Sequence, residues 1–175
     1  MQELWDAYDR DGNKTGAVLV RGEPVPEGLY HMVSGVLVRH TDGDYLLMRR
    51  DLNKKTFPGY YEASVGGSVQ KGESALEGAL RELKEETGIA AQTLTPYYNA
   101  RDARCLYRAF LCETDWPKDQ IVLQPGETID YLWVSREKLI EMMQAEPCLC
   151  AVQAGTRTYF GLETPEPAEE YTMLV

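Results

Sequence analysis

One segment constrains this chain more than any other: GSVQKGESALEGALRELKEETGI, residues 67–89, entered through the glycine pair Gly66-Gly67. Glu82, Glu85 and Glu86 stand at i, i+3 and i+4, so a helix at about 100° per residue projects all three carboxylates from one stripe. Like charges at that spacing repel by a few tenths of a kcal/mol per pair. A solvated acidic face is the plain explanation for three such acids alone. A hard divalent cation, which takes oxygen ligands from carboxylates and substrate phosphates, would turn the repulsion into a site. Ser74 with Glu77 fits a capping box, and Gly88 sits where a glycine ends a helix. Leu76, Ala79, Leu80 and Leu83 share the opposite side and should face a core, giving the acids rigid backing.

The rest of the chain reads mainly as strands. Two apolar runs in LWDAYDRDGNKTGAVLV flank Asp11-Gly12-Asn13, a hairpin signal within residues 1–21. GEPVPEG (22–28) is a linker from that hairpin to the main body. LYHMVSGVLVRH and DYLLMRR form a second hairpin around Asp42-Gly43, and DLNKKTFPG (51–59) is loop. After the acidic helix, LTPYYNA, RCLYRAFLC and TIDYLWV are strands, and SREKLIEMMQ is a helix capped by Ser135. Residues 162–175, rich in Pro and Glu, read as a loosely held tail. At 175 residues the chain is expected to form one domain of class α/β, a sheet covered on two faces.

A net charge of −10 argues against nucleic-acid polymers and anionic membranes as partners, since both need a basic surface. No apolar run approaches 18 residues and the N-terminus is polar, so a cytoplasmic location is expected. Four cysteines are too few for a disulfide scaffold. Cys105 and Cys112 lie in apolar sequence as small hydrophobes. Cys148 and Cys150 have no histidine or second pair nearby and read as structural. His31, within an apolar strand, reads as a core histidine. An acidic protein that binds phosphates needs local cations. Arg49, Arg50, Lys54 and Lys55 are the candidates near the acidic segment, with solvated loop positions as the alternative. Phe57, Tyr60, Tyr61 and Tyr97 could stack a ring or belong to the core.

The whole segment fits the pattern Gly, five residues, Glu, seven residues, Arg-Glu-apolar-x-Glu-Glu-x-Gly-apolar. The matching residues are Gly67, Glu73, Arg81, Glu82, Leu83, Glu85, Glu86, Gly88 and Ile89. A chance match is on the order of one in 10⁹ per starting position. This is a complete Nudix box, and the chain resembles the Nudix hydrolases. The resemblance implies an α/β/α sandwich around a mixed sheet, here with an extra N-terminal β-hairpin. It implies Mg²⁺, or Mn²⁺, held by Glu82, Glu85, Glu86 and the carbonyl of Gly66. It also implies a catalytic set of Glu82, Glu85, Arg81 and Glu127. Arg81 there orients the glutamates and pairs with Glu73; a helical ladder with Glu77 and Glu85 is the modest alternative. Glu127 and Glu82 both remain candidates for general base, and Glu127 could equally be a solvated loop acid. Arg49, Arg50, Lys54, Lys55 and Phe57 would meet the substrate, a small-molecule diphosphate. Many relatives are homodimers; the sequence leaves the oligomeric state open.

From residue 3 to residue 140 the chain also resembles the isopentenyl-diphosphate isomerase branch, in DAYDRDGNKTG, LYHM, KKTFPG and ETIDYLWVS. Isomerase chemistry needs a cysteine and a histidine cluster. Gly66 and Ser68 stand at the cysteine position and a histidine position, and only His31 remains of the cluster. The reading is therefore a Mg²⁺-dependent pyrophosphohydrolase acting on a nucleoside diphosphate linked to another moiety. An isomerase-like enzyme and a non-catalytic ligand-binding module are the alternatives.

Overall fold

The computed structural model describes residues 2–145, 154–163 and 170–175. Cys148 and Cys150 lie outside the described residues. The acidic segment is helix α1, Ala75–Thr87. Ser74 Oγ accepts from Glu77 N (3.2 Å), and Glu77 Oε2 accepts from Ser74 N (2.7 Å), closing the expected capping box. Gly88, at φ 80°, ends the helix by donating to the Lys84 carbonyl. Ala79 and Leu83 are fully buried, with Leu76 and Leu80 packed at the edge of the same cluster.

The main sheet contains β3 (His31–His40), β4 (Tyr45–Arg50), β5 (Tyr61–Glu62), β6 (Val65–Ser68), β7 (Thr95–Arg101), β8 (Cys105–Thr114), β9 (Thr128–Val134) and β10 (Glu170–Met173). β3 runs parallel to β8 over ten paired positions and antiparallel to β6, while β4 pairs with β5 and β9. The sheet is thus mixed, as expected. Strand side chains alternate between its faces. Val36, Val38, Leu46, Met48 and Val65 pack under α1. Leu37, Tyr45, Leu47, Tyr98 and Ala109 pack with Leu139 and Met143 of α2 (Arg136–Gln144) and with Phe160, just after α3 (Ala154–Tyr159). Ser135 caps α2 by accepting from Lys138 N. Each sheet face therefore has its own apolar layer and its own helices.

β1 (Leu4–Tyr8) and β2 (Lys14–Val20) form the N-terminal hairpin. It is tied to the main body by Trp5 stacked on His31 (4.6 Å) and by reciprocal backbone bonds between Tyr8 and Tyr30. More consequentially, Lys71 N donates to Leu4 O (2.8 Å) and Gly72 N to Asp6 Oδ2 (2.9 Å), so the hairpin braces the loop that leads into α1. One expectation needs correction. The sequence from 162 onward is not uniformly a loose tail, because Glu170–Met173 adds β10 to the outer edge of β7. There Glu170 pairs with Arg10 and Arg101, which supplies the side-chain anchor that composition hides.

Candidate active site

A cleft of about 580 Å³ lies along the acidic stripe of α1. Glu82, Glu85, Glu86 and Arg81 line it from the helix, and Gly66, Gly67 and Ser68 from β6. The glycine pair has two separate causes. A Cβ on Gly66 would lie 2.1 Å from the Ser34 carbonyl oxygen and 2.8 Å from Gly35 Cα, both backbone of the adjoining β3. A Cβ on Gly67 would lie 2.7 Å from Glu82 Oε1, so its absence makes room for the carboxylate.

The three acids are not equivalent. Glu86 is only 8% exposed. Burial, reinforced by the charges of Glu82, Glu62 and Glu127, pushes its carboxyl up to about 8. Burial also raises Glu82, against the pull of Arg81. Glu85 stands at the open rim. Arg81 binds Glu73 with two donors, Nε to Oε1 at 2.7 Å and Nη2 to Oε2 at 3.0 Å. Its Nη1 also meets Glu82 (2.7 Å) and Glu85 (3.4 Å), and Nη2 donates to the Ser68 carbonyl (3.1 Å). A bidentate arginine–carboxylate pair fixes both partners in one plane. The Glu77 rung of a helical ladder is missing, since Glu77 is occupied with the cap.

Opposite α1, Arg50 pairs with Glu62 and Lys54 with Glu127, and all four line the cleft. Three other residues named from sequence do not. Arg49 points to the far face, where Nε donates to Gly59 O (3.1 Å) and the guanidinium lies over the Tyr61 ring. Lys55 is exposed in the loop. Phe57, at φ 50° and 51% exposed, meets the Tyr60 ring edge-on. Tyr97 is fully buried and bonded to Thr156, and Tyr61 is bonded to Asp130. Several lining residues had no sequence signal: Glu3 and Arg21 from the hairpin (paired at 2.6 Å), Glu62, Thr56, Gln124 and Thr128. Only the antiparallel pairing of β4 with β5 and β9 brings Glu62 and Thr128 beside Arg50.

The donor set is all oxygen, which suits a hard divalent cation and not a soft metal. A buried carboxylate at Glu86, facing other acids with Lys54 as the opposing charge, is the feature such a cation would compensate. Among the described residues, no three acidic, histidine or cysteine side chains converge tightly enough to enclose an ion as they stand. The reason is visible: Arg81 draws Glu82 and Glu85 toward itself, and Lys54 draws Glu127.

Comparison with known proteins addresses the family and the fold. The family model described as NUDIX domain matches residues 29–148. A Nudix hydrolase of Listeria innocua is 30% identical over 140 residues, 78% of this chain and 82% of that protein. An isopentenyl-diphosphate Delta-isomerase of Citrobacter koseri is 29% identical over 146 residues, 79% of this chain and 81% of that protein. The crystal structure of DR0079 from Deinococcus radiodurans superposes with a TM-score of 0.69 at 21% identity, covering 90% of this chain and 98% of that one, which shows the shared fold. With a complete box, a matching family model and this architecture, the chain belongs to the NUDIX family and is a Nudix hydrolase.

Proposed function

We propose that the protein is a Mg²⁺-dependent pyrophosphohydrolase, with Mn²⁺ as a substitute, that cleaves a nucleoside diphosphate linked to another moiety by attack of water on phosphorus. The observation that carries this reading is that Glu82, Glu85 and Glu86 line one cleft while Arg50 and Lys54 line the same cleft. Glu82, Glu85, Glu86 and the Gly66 carbonyl would hold a divalent cation, which would supply charge neutralisation at the phosphoryl oxygens and a lowered pKa for water. Arg81 fixes Glu82 and Glu85 through its own anchor on Glu73. Arg50 and Lys54 exchange their carboxylates for phosphate oxygens and orient the group that does not react. Glu82 and Glu127, which both line the cleft, are the candidates to accept the proton of water.

The isomerase alternative meets an obstacle in the backbone. Its cysteine would stand at position 66, where any Cβ meets the Ser34 carbonyl. A binding module without catalysis has no need of three acids and the arginine that braces them. A homodimer and a cytoplasmic location belong to the same reading; no helix among the described residues is long and apolar enough to cross a membrane. The test is chromatographic detection of the nucleoside monophosphate and its co-product from a panel of nucleotide sugars, dinucleoside polyphosphates and nucleoside triphosphates with Mg²⁺ or Mn²⁺. Glu85→Gln and Glu86→Gln should each lose about 10³-fold in kcat while remaining folded. A wild-type protein inactive on the whole panel would sink the proposal.

A further inference from the structure

A second cavity, of about 120 Å³, shares Val33, Glu62 and Gly66 with the acidic cleft, so the two spaces adjoin at Gly66. Its floor follows from strand register. Gly66 lies opposite Gly35, Gly35 opposite Ala109, and Ala109 opposite Tyr98, so one row crosses four strands on one sheet face. Neighbouring strands are about 4.8 Å apart, so the row from Gly66 to Ala109 spans about 10 Å with no side chain larger than a methyl group. The adjacent row on the same face is Val33 opposite Tyr107, which forms the side wall. Tyr98 closes the far end and has no room to retreat. Its ring is backed by Gly155 of α3, where a Cβ would lie 2.3 Å away, and by the edge of Tyr97 at 4.8 Å.

We propose that this slot selects the substrate's ring: it takes a single six-membered ring joined through a sugar to the diphosphate, and so prefers a pyrimidine nucleotide to a purine one. The inference rests on the hydrolase reading, because the diphosphate must lie in the acidic cleft for its sugar to pass Gly66. A flat ring then rests on the backbone of Gly35 and Ala109 beside Tyr107. Stacking against an aromatic face accepts any base, so it is the closed end at Tyr98 that discriminates by length. A bicyclic base anchored by the same diphosphate runs into that ring. Ser64, which also lines the slot, offers a hydroxyl to the ring edge.

Calorimetric titration with the non-hydrolysable α,β-methylene analogues of CDP and ADP, with Mg²⁺ present, tests the idea. Methylenediphosphonate serves as the probe without a base. The cytidine analogue should bind at least tenfold more tightly than the adenosine analogue. Ala109→Leu fills the slot and should bring the cytidine analogue down to the affinity of methylenediphosphonate, whose own affinity stays unchanged. Gly35→Ala is the gentler variant, since a Cβ there has its nearest neighbour at 4.0 Å, and should produce a partial loss in the same direction. Equal or tighter binding of the adenosine analogue overturns the proposal, as does unchanged cytidine affinity in a folded Gly35→Ala or Ala109→Leu protein. Failure of methylenediphosphonate to bind, together with no turnover of any diphosphate, would instead count against the hydrolase reading itself.

Discussion

The two walls of the acidic cleft are built on different principles. The α1 wall is nearly contiguous in sequence, from Gly66 to Glu86, and one arginine holds three of its carboxylates. The facing wall is assembled from distant segments, Arg21, Arg50 to Glu62, and Gln124 to Thr128. Each of its cations is paired with one acid: Arg21 with Glu3, Arg50 with Glu62, Lys54 with Glu127. The first wall is rigid and specified locally. The second is a set of ion pairs that an entering phosphate can exchange, each worth modest energy where it is exposed. Substitutions should therefore be severe on the first wall, in stability at Gly66 and in kcat at the acids and Arg81, and graded and substrate-linked on the second.

The sharpest break is at the glycine pair. Gly66→Cys, or even Gly66→Ala, drives a Cβ into backbone that cannot rotate away, and should cost more than about 3 kcal/mol, read as a large fall in Tm. Gly67→Ala meets only the carboxylate of Glu82, which can turn. It should keep most of its stability and lose activity. If Gly66→Cys folds with unchanged Tm, the close approach of β6 to β3 is not the constraint it looks to be.

Glu86 yields a prediction in pH. Its folded carboxyl is pushed from 4.5 up to about 8, so the folded state holds the proton more tightly than the unfolded chain. The stabilisation that goes with the neutral form is complete below about pH 4.5 and is lost as pH rises through 8. In EDTA, Glu86→Gln should then be more stable than wild type at pH 8, by on the order of a few kcal/mol, with the gap closing toward pH 5. Mg²⁺ should raise the Tm of wild type and leave Glu86→Gln nearly unmoved. A gap independent of pH would mean that Glu86 is charged at no cost where it stands.

Arg81 separates bracing from helix stability. Arg81→Ala releases Glu73, Glu82 and Glu85 together, and should lower kcat by about 10²-fold with Tm reduced only modestly. Glu77→Ala removes the cap partner alone and should cost about 1 kcal/mol with kcat intact. Equal kcat losses in the two variants would reduce Arg81 to a helix-stabilising residue.

What the sequence made legible follows the same division. Helix α1, its caps, its buried side and its acids were readable because every governing interaction falls within a few residues, from Ser74 to Gly88. The pairing of Arg81 with Glu73 was readable only through the family resemblance, since helical spacing alone favours Glu77 and Glu85 equally. Glu62, Gln124, Thr128 and Arg21 carry no local signal, because strand pairing and the docked hairpin bring them to the cleft. β10 was hidden for a related reason: a Pro- and Glu-rich composition does not reveal an edge strand whose anchors, Arg10 and Arg101, lie far away in the chain. The aromatic candidates were lost for different reasons: Tyr97 went to the core and Phe57 stayed exposed outside the cleft, while Tyr98, beside Tyr97, lines the slot.

The smallest expected effect is the one that best divides the two walls' chemistry from mere charge. Arg49 and Arg50 are neighbours in β4, indistinguishable by composition, yet strand alternation sends them to opposite faces. Arg50 lines the cleft beside Glu62, whereas Arg49 is bonded to Gly59 and covers Tyr61. Arg50→Met and Lys54→Met should each raise KM about tenfold with kcat little changed, the signature of lost binding shared by ground and transition states. Arg49→Met removes the same formal charge from the same strand and should leave KM within about twofold, with a stability loss under about 1 kcal/mol. Long-range electrostatics alone would make the two arginine variants alike, since they differ by one residue in position. A split between them in KM therefore requires direct contact with substrate at Arg50, and an identical rise in both would show the facing wall acting only through its net charge.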